Sequence, residues 1–287
     1  MNTRVTSEKP RHSWRRLPQG FWWTLPSIVV LIALSIYPMI YSVRLAFGDL
    51  GNFTRLISDR TFGIATVQTI VLTAVALAAE FVLGLALALL VDSLSRAKSI
   101  FRAGLLVPML LPPVVAAVAW RLIYNPQFGV LNGTLRQLGV NTSALTWTNG
   151  HNSALLSVIV VDIWEWTPFL FLLLSAGLQA IPPDPIEAAR IDGAGPWRLF
   201  RDVTLPLLKP TILLALLLRA MDLVRIFDQI FILTQGGPGT ATETVSLYIY
   251  RTAFRFSNFG YAAAMSFVLL AATMLFSRGL MRVMRAR

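Results

Sequence analysis

The sequence contains no cysteine, only two histidines and few charged residues. Without cysteine there can be no disulfide, thiolate metal site or thiol catalysis, and His12 and His151 alone cannot build a histidine-rich metal site. Charged residues make up 14% of the 287 residues, whereas about 25% is usual in a soluble domain. So few charges cannot cover a water-soluble globule of this length. The 55% hydrophobic content also excludes a disordered chain.

Lysine is scarce as well, and none of the three lysines is placed for nucleotide hydrolysis. A P-loop needs a lysine directly after a glycine, but Lys9, Lys98 and Lys209 follow glutamate, alanine and leucine. The hydrolase motifs Gly-x-Ser-x-Gly and His-Glu-x-x-His do not occur either. We therefore expect no ATP hydrolysis by this chain and no enzymatic activity.

Six long apolar runs predict six transmembrane helices and hence an all-α membrane protein. The runs cover residues 21–43, 64–91, 103–120, 154–178, 211–233 and 261–281. A helix needs about 20 residues to cross the hydrocarbon, and the third run reaches that length if it continues to Tyr124 with Arg121 snorkelling. The chain then divides into a tail at 1–20, a first transmembrane helix at 21–43 and a core domain at 64–287. The first run is too long for a signal peptide and no cleavage site follows, so we expect it to remain.

Positive charge is distributed unevenly among the segments that connect these runs. Sixteen of the 25 lysines and arginines lie in the two tails and in the second and fourth connections, and seven lie in the other connections. The remaining two, Arg219 and Arg225, lie within the fifth run. Because cytoplasmic segments retain positive charge, this bias predicts a multi-pass membrane protein with both termini in the cytoplasm. This distribution explains the net charge of +11 without a nucleic-acid partner. The basic tails are also suited to bind anionic membrane lipid.

The fourth connection, at residues 183–206, carries the clearest local pattern. Asp184 can cap a helix that has Pro185 at its first position and Glu187 at its third, as in a capping box. Gly193 can end this helix in a left-handed conformation. We therefore predict a short helix that begins after Asp184 and ends at Gly193.

A second helix is predicted from Pro196, because Trp197, Phe200 and Val203 recur every three residues on one face. The connection would then form a helix–turn–helix at the membrane surface. Two interpretations stay open on this pattern alone. The pair is either an interfacial element whose aromatic residues anchor in the headgroups, or a docking surface for a cytoplasmic partner.

The same connection resembles a known motif, the EAA loop of bacterial ATP-binding-cassette (ABC) importer permeases. Its pattern is Glu187-Ala188-Ala189, then Gly193, then Leu205-Pro206. The segments at 80–84, 233–239 and 248–254 are similar to the carbohydrate branch of these permeases. Within that branch the chain most resembles maltose-permease-F-like and glycerol-phosphate-permease-A-like subunits, including trehalose permeases.

This resemblance implies a type I ABC importer permease of the bacterial inner membrane, with the MetI-like fold and a cytoplasmic coupling helix. The chain would form a heterodimer with a second permease subunit. Two copies of an ATPase subunit would bind ATP and magnesium, and this chain would need no cofactor of its own. An extracytoplasmic solute-binding protein would deliver a sugar. The residues implied in ATPase docking are Glu187, Ala188, Ala189, Asp192, Gly193 and Ala194.

Charged side chains inside the predicted spans are costly and point to function. Span four holds Asp162 and Glu165 on one face, and span five holds Arg219, Asp222, Arg225 and Asp228 at three-residue steps. These charges either neutralise each other within and between helices, or line a water-filled cavity whose carboxylates, guanidinium groups and aromatic rings suit a sugar. Glu80, isolated in an apolar run, is interpreted as a buried hydrogen-bonding group between helices.

The resemblance favours the cavity, because relatives of the maltose type bind sugar with the helices before and after the EAA loop. The substrate-binding residues implied in this way are Asp162, Glu165, Trp166, Phe169, Leu218, Asp222 and Arg225. The expected function is permeation of a sugar by alternating access. One alternative is an ion-coupled secondary transporter that uses the intramembrane carboxylates, and another is a membrane enzyme or assembly factor. The sugar itself stays open among trehalose, another disaccharide, a polyol, a sulfosugar and glycerol phosphate.

Overall fold

The computed structural model describes residues 20–94, 98–142 and 145–285, and within these ranges it is built from helices without strands. The helices are α1 (Gly20–Phe47), α2 (Gly51–Ser58), α3 (Arg60–Ser93), α4 (Lys98–Leu106), α5 (Pro113–Ile123), α6 (Val130–Gln137), α7 (Ser153–Gln179), α8 (Pro183–Ile191), α9 (Pro196–Leu199), α10 (Leu205–Leu223), α11 (Asp228–Leu233), α12 (Val245–Tyr250) and α13 (Phe259–Arg285). The predicted tail lies outside the described residues as far as position 19. The helical content confirms the all-α class.

Five of the described helices are long and apolar enough to cross a membrane. They are Trp23–Phe47, Arg60–Ser93, Ser153–Gln179, Pro196–Leu223 and Phe259–Gly279, with mean hydropathies between 1.6 and 2.5. They correspond to the first, second, fourth, fifth and sixth predicted spans. Helix α1 packs against α13 at the periphery, and its apolar side chains are exposed, as expected for a helix in hydrocarbon.

The third predicted span is not a continuous helix, so that prediction is wrong. Helix α4 ends at Leu106, a 3-10 turn covers Pro108–Leu110, and α5 begins at Pro113. Proline has no N–H for the helical ladder, and its ring restricts the residue before it, so a cluster of prolines breaks the helix here. The 11 residues of α5 rise only about 16 Å, roughly half of the hydrocarbon thickness. The count of six spans therefore stays a prediction.

The fifth predicted span has different limits from those expected at 211–233. The helix that begins at Pro196 continues through a π-helical turn at Phe200–Thr204 into α10, so the predicted surface helix is the first part of a membrane span. This long helix ends at Leu223, and α11 starts only at Asp228. The prediction of one helix through this region is therefore wrong.

The interruption at residues 224–227 contains neither proline nor glycine, so no local signal marks it. Other elements bond to the backbone around it instead. The Thr244 hydroxyl donates to the Ile226 carbonyl at 3.5 Å, and Arg121 Nη1 donates to the Ile232 carbonyl at 3.4 Å. Irregular backbone at membrane depth is tolerated where protein or a cavity surrounds it, and this break lies beside a polar cavity.

The centre of the bundle is the pair α3 and α7. The buried positions of α3 recur every three or four residues: Ala65, Thr69, Leu72, Ala76, Glu80, Gly84, Ala88 and Val91. At Gly84 a Cβ atom would lie only 2.9 Å from the Leu170 Cβ and 3.1 Å from the Phe171 nitrogen. The two backbones approach so closely that only glycine fits at this crossing, as is common between membrane helices. The crossing places Glu80, one turn away, against α7.

At the opposite end of α3, Asp59 ties together three segments. Its Oδ1 caps α3 by accepting from the backbone nitrogens of Thr61 at 2.8 Å and Phe62 at 3.1 Å. Its Oδ2 accepts from the hydroxyls of Tyr248 at 2.8 Å and Tyr261 at 2.5 Å. Burial acts to raise the pKa of Asp59, but these four hydrogen bonds together hold it below its ordinary value. The ionised carboxylate therefore links α3, α12 and α13.

Candidate functional site

The site is centred on Arg219, which is buried inside the bundle with 2% of its surface exposed. Its Nε and Nη2 donate to the two carboxylate oxygens of Glu80 at 2.7 and 2.9 Å. Nη2 also donates to Asp162 at 2.5 Å, and Nη1 donates to Asp222 at 2.6 Å. Helices α3, α7 and α10 each contribute to this network, so one guanidinium joins three helices of the bundle.

The network tests the first of the two interpretations, in which the intramembrane charges pair with one another. Pairing of Arg219 with Asp222 along α10, and with Asp162 across helices, is confirmed. The interpretation of Glu80 as a buried hydrogen-bonding group between helices is also confirmed. Arg225 and Asp228 make no ion pair in the described structure, and Arg225 Nε donates instead to the Met221 carbonyl at 3.1 Å. Both of these side chains stay exposed.

A polar cavity of about 130 Å³ opens beside the network, where α10 ends. Its walls are Pro113, Asp162, Trp166, Arg219, Asp222, Arg225, Ile226, Phe227, Asp228 and Gln229. The Trp166 ring covers the guanidinium of Arg219 at 4.9 Å from carbon to ring centroid. Such a wall combines hydrogen-bonding groups with an aromatic surface, which suits a ligand that is polar at its edges and apolar on its faces.

Four of the predicted substrate residues line this cavity, namely Asp162, Trp166, Asp222 and Arg225. The other three do not. Glu165 is fully buried behind the wall and accepts from Gln229 Nε2 at 2.6 Å, and Phe169 packs edge-on against Trp166 at 6.3 Å between centroids. Leu218 is 44% exposed on another face of α10. It precedes Arg219, and successive helical residues point about 100° apart.

The second candidate region is the connection between α7 and α10. Helix α8 begins at Pro183, with Pro182 at its N-cap and no side-chain capping bond, so the predicted capping box at Asp184 is wrong. Proline fits the first turn of a helix because its missing N–H would be unpaired there, and three prolines start this helix without a cap. Asp184 instead lies in the first turn, where its charge favours the helix dipole.

The predicted end of α8 is confirmed. Gly193 has φ +76°, a left-handed conformation that side chains with a Cβ rarely adopt. The Ala194 nitrogen donates back to the Ala189 carbonyl at 2.9 Å, which closes the turn. Glu187, Ala188, Asp192 and Gly193 are exposed, while Ala189 and Ala194 are half-buried. The turn therefore presents most of the motif at the surface of the bundle.

Comparison with known proteins places the chain in a family. Residues 80–287 match the model of the binding-protein-dependent transport system inner membrane component. The chain belongs to this family. It is 34% identical to the trehalose/maltose transport system permease protein MalF of Thermococcus litoralis, over 100% of this chain and 99% of that protein. It is 36% identical to the trehalose transport system permease protein SugA of Mycobacterium tuberculosis, over 89% of this chain and 84% of that protein.

The fold of this inner membrane component is also found in a solved structure. A chain from a bacterial ABC transporter involved in the import of the acidic polysaccharide alginate superimposes with a TM-score of 0.83, covering 93% of this chain and 94% of that one, at 22% identity. This likeness confirms the importer permease fold that the EAA motif implies. The chain is thus a multi-pass permease component of the inner membrane.

Three polar residues of the cavity wall, Arg219, Asp228 and Gln229, were not among the predicted substrate residues of this permease. Asp228 was visible as a charge in an apolar run, but its place at the wall follows from the break after Leu223. Gln229 follows Asp228 directly but carries no charge itself, so charge inside a predicted span does not mark it. Arg219 was visible as a charge, and only the packing of α3 against α10 revealed its partner Glu80.

Proposed function

We propose that this chain is a permease subunit of an ATP-driven ABC importer that moves a sugar across the cytoplasmic membrane by alternating access. The observation that carries the proposal is the polar cavity beside Arg219, which lies next to an apolar core of the bundle. Carboxylates accept hydrogen bonds from hydroxyl groups, and the Trp166 ring offers a surface for the apolar side of a sugar ring. The two relatives are named as a trehalose/maltose permease and a trehalose permease, and these names point to the same class of substrate.

Within this proposal, the substrate contacts are assigned to Asp162, Trp166, Asp222 and Arg225. They line the cavity from α7 and from the end of α10. Glu165 and Phe169 support the wall from behind through Gln229 and Trp166. Because the cavity lies beside the broken helix, a change in the position of α10 would alter access to it, as alternating access requires.

Helix α8 and the turn after it are assigned to docking of the ATPase subunit. Glu187, Ala188 and Ala189 lie on α8, and Asp192, Gly193 and Ala194 form the turn. Support comes from their placement, because α8 extends from the bundle with exposed side chains, and Ile191 and Trp197 beside it are 85% and 71% exposed. Exposed apolar groups next to a charge are typical of an interface with another protein. Two ATPase copies would bind ATP and magnesium and move α8 together with the continuous helix that follows it.

The remaining partners are a second permease subunit and a solute-binding protein, with both termini of this chain in the cytoplasm. The rival mechanism, ion coupling through the carboxylates, finds less support. Asp162 and Glu80 already accept hydrogen bonds from Arg219 at 2.5 to 2.9 Å, so the oxygens that contact the guanidinium are engaged by the protein and not open to a sodium ion. Asp222 is also paired with the same guanidinium.

Reconstitution tests the proposal. The complete importer, assembled in proteoliposomes with trehalose or maltose and its binding protein, is expected to accumulate sugar only when its ATPase subunits have ATP. Glu187→Ala combined with Gly193→Asp should abolish uptake, because the docking charge is lost and a Cβ is forced into a left-handed turn. Asp92→Ala is the control. It removes an exposed carboxylate that lies 3.8 Å from the Lys98 amine, and such a surface ion pair contributes little to stability.

Two results would contradict the proposal. Accumulation by this chain and its permease partner without ATPase subunits, driven by a sodium or proton gradient, would establish ion coupling. Full uptake by the Glu187 and Gly193 double variant would remove the docking role of the turn. In both experiments the amount of assembled complex in the vesicles is measured, so that loss of uptake is not confused with loss of protein.

A further inference from the structure

The guanidinium of Arg219 has little capacity left for a ligand. Arginine has five N–H donors, and four hydrogen bonds already connect them to Glu80, Asp162 and Asp222. The Trp166 ring covers one face of the same group at 4.9 Å. A carboxylate or phosphate on a sugar is normally received by the free fork of an arginine. Here that fork is occupied by the protein's own carboxylates.

Gln229 lines the same cavity and holds a buried acceptor that no described residue satisfies. The residue is 2% exposed and lines the wall. Its Nε2 donates to a carboxyl oxygen of Glu165 at 2.6 Å, and this bond occupies the donor end of the amide. The opposite atom, Oε1, is buried without a hydrogen-bond partner among the described residues. A buried carbonyl oxygen left unpaired costs free energy, which a ligand that donates a hydrogen bond would recover.

The charges of the wall favour the same kind of ligand. Three carboxylates, those of Asp162, Asp222 and Asp228, face two guanidinium groups. Of these two groups, Arg219 is paired, whereas Arg225 has no carboxylate partner in the described structure and its Nε donates to the Met221 carbonyl. The acidic groups therefore exceed the available cations, and an added negative charge would be repelled.

We propose that this cavity selects uncharged, hydroxyl-rich sugars over anionic ones, and that Gln229 is a substrate-contacting residue that accepts a sugar hydroxyl. The proposal rests on the function proposed above and narrows its substrate class. Sugar phosphates, sulfonated sugars and sugar acids are disfavoured at this site. Amides and carboxylates together offer acceptors, and sugar hydroxyls supply the matching donors.

Binding to the purified complex, with its partner permease and ATPase subunits but without the binding protein, tests this selectivity. Maltose is compared with maltobionate, in which the reducing end is oxidised to a carboxylate, and trehalose with trehalose 6-phosphate. We expect the neutral sugar of each pair to bind at least about tenfold more tightly. Equal or tighter binding of the anionic forms overturns the proposal.

Three variants test which residues of the wall are responsible for sugar binding and for the preference for neutral sugars. Gln229→Met keeps the length of the side chain but removes the acceptor, and should weaken binding of the neutral sugar about five- to tenfold. Asp222→Asn removes a negative charge from the wall while its amide oxygen can still accept from Arg219, and should reduce the preference for the neutral sugar at least about threefold. Asp92→Asn makes the same chemical change at the cytoplasmic end of α3 and should leave the preference unchanged. Unchanged sugar affinity in Gln229→Met, with a melting temperature equal to that of the parent complex, removes Gln229 from the site.

The uptake assay separates failure of this inference from failure of the proposed function. If the importer accumulates neutral sugar with ATP but binds both members of each pair equally, only the selectivity is refuted. If ATP drives no accumulation of any of these sugars, the proposed function itself fails.

Discussion

Replacing Arg219 with alanine removes the guanidinium that Glu80 and Asp162 share inside the bundle. Both carboxylates are essentially inaccessible, with 0% and 1% of their surface exposed. Breaking a buried ion pair by removing one partner costs about 3–5 kcal/mol, because the remaining charge is left uncompensated. Asp222 adds little to this cost, since its side chain is 53% exposed and water can replace the arginine. We therefore expect Arg219→Ala to lower the free energy of unfolding by about 5 kcal/mol, the upper end of that range.

The assay is thermal unfolding of the assembled complex in detergent. A stability change of 1 kcal/mol shifts the melting temperature of a large domain by about 2–4 °C, so Arg219→Ala should lower it by about 10 °C or more. Arg225→Ala is the matched control, because Arg225 lies less than two turns away, is exposed and bonds only to a backbone carbonyl. The control should change the melting temperature by no more than about 2 °C.

A second comparison tests the cause of the loss. If uncompensated carboxylates destabilise Arg219→Ala, then replacing the whole network by apolar residues should restore most of the stability. The triple variant Glu80→Leu, Asp162→Leu and Arg219→Met makes this change. A melting temperature of Arg219→Ala within about 2 °C of the parent would refute the reasoning. So would a triple variant that is less stable than Arg219→Ala.

Two other predictions concern packing and pH. Gly84→Ala should destabilise the complex by about 1–3 kcal/mol, since its Cβ would lie 2.9 Å from the Leu170 side chain. Gly63→Ala in the same helix has open space around its Cβ and should be neutral or stabilising. Equal melting temperatures of the two variants would contradict the close helix crossing at Gly84. The pKa of Asp59 is lowered in the folded state, so its stabilisation is complete above its ordinary pKa of 3.8 and is lost as the pH falls through the folded value. The difference in melting temperature between the parent and Asp59→Asn should therefore begin to narrow only below about pH 4 in curves recorded from pH 7 to pH 3, and a constant difference would refute this linkage.

The architecture was predictable to the extent that it depends on composition over about 20 residues. Hydrocarbon accepts only long apolar segments, so the first, second, fourth and sixth spans could be located from hydropathy. The third and fifth could not. Prolines were visible at 108, 112 and 113, but membrane helices often tolerate proline, so the sequence alone did not show that the helix would break there. The break after Leu223 has no proline or glycine at all.

The candidate site shows a similar division. Asp162, Trp166, Asp222 and Arg225 were predicted, because charge inside a membrane is costly and marks function, and they line the cavity. Leu218 was assigned from the corresponding position in maltose-type permeases. It points away from the cavity, because successive residues of a helix differ in direction by about 100°. Gln229 was not predicted, since it carries no charge and only its neighbour Asp228 was marked by charge in the predicted span.

The sequence by itself determined that the chain is a membrane permease, because its apolar runs, its charge bias and the EAA motif are local properties. Only the tertiary structure decided that Arg219 binds Glu80, 139 residues earlier in the chain. That pairing depends on where α3 crosses α7 and α10, and on the close approach at Gly84. A buried charge takes its partner from whatever the packing brings within about 3 Å, and no spacing along the sequence specifies that distance.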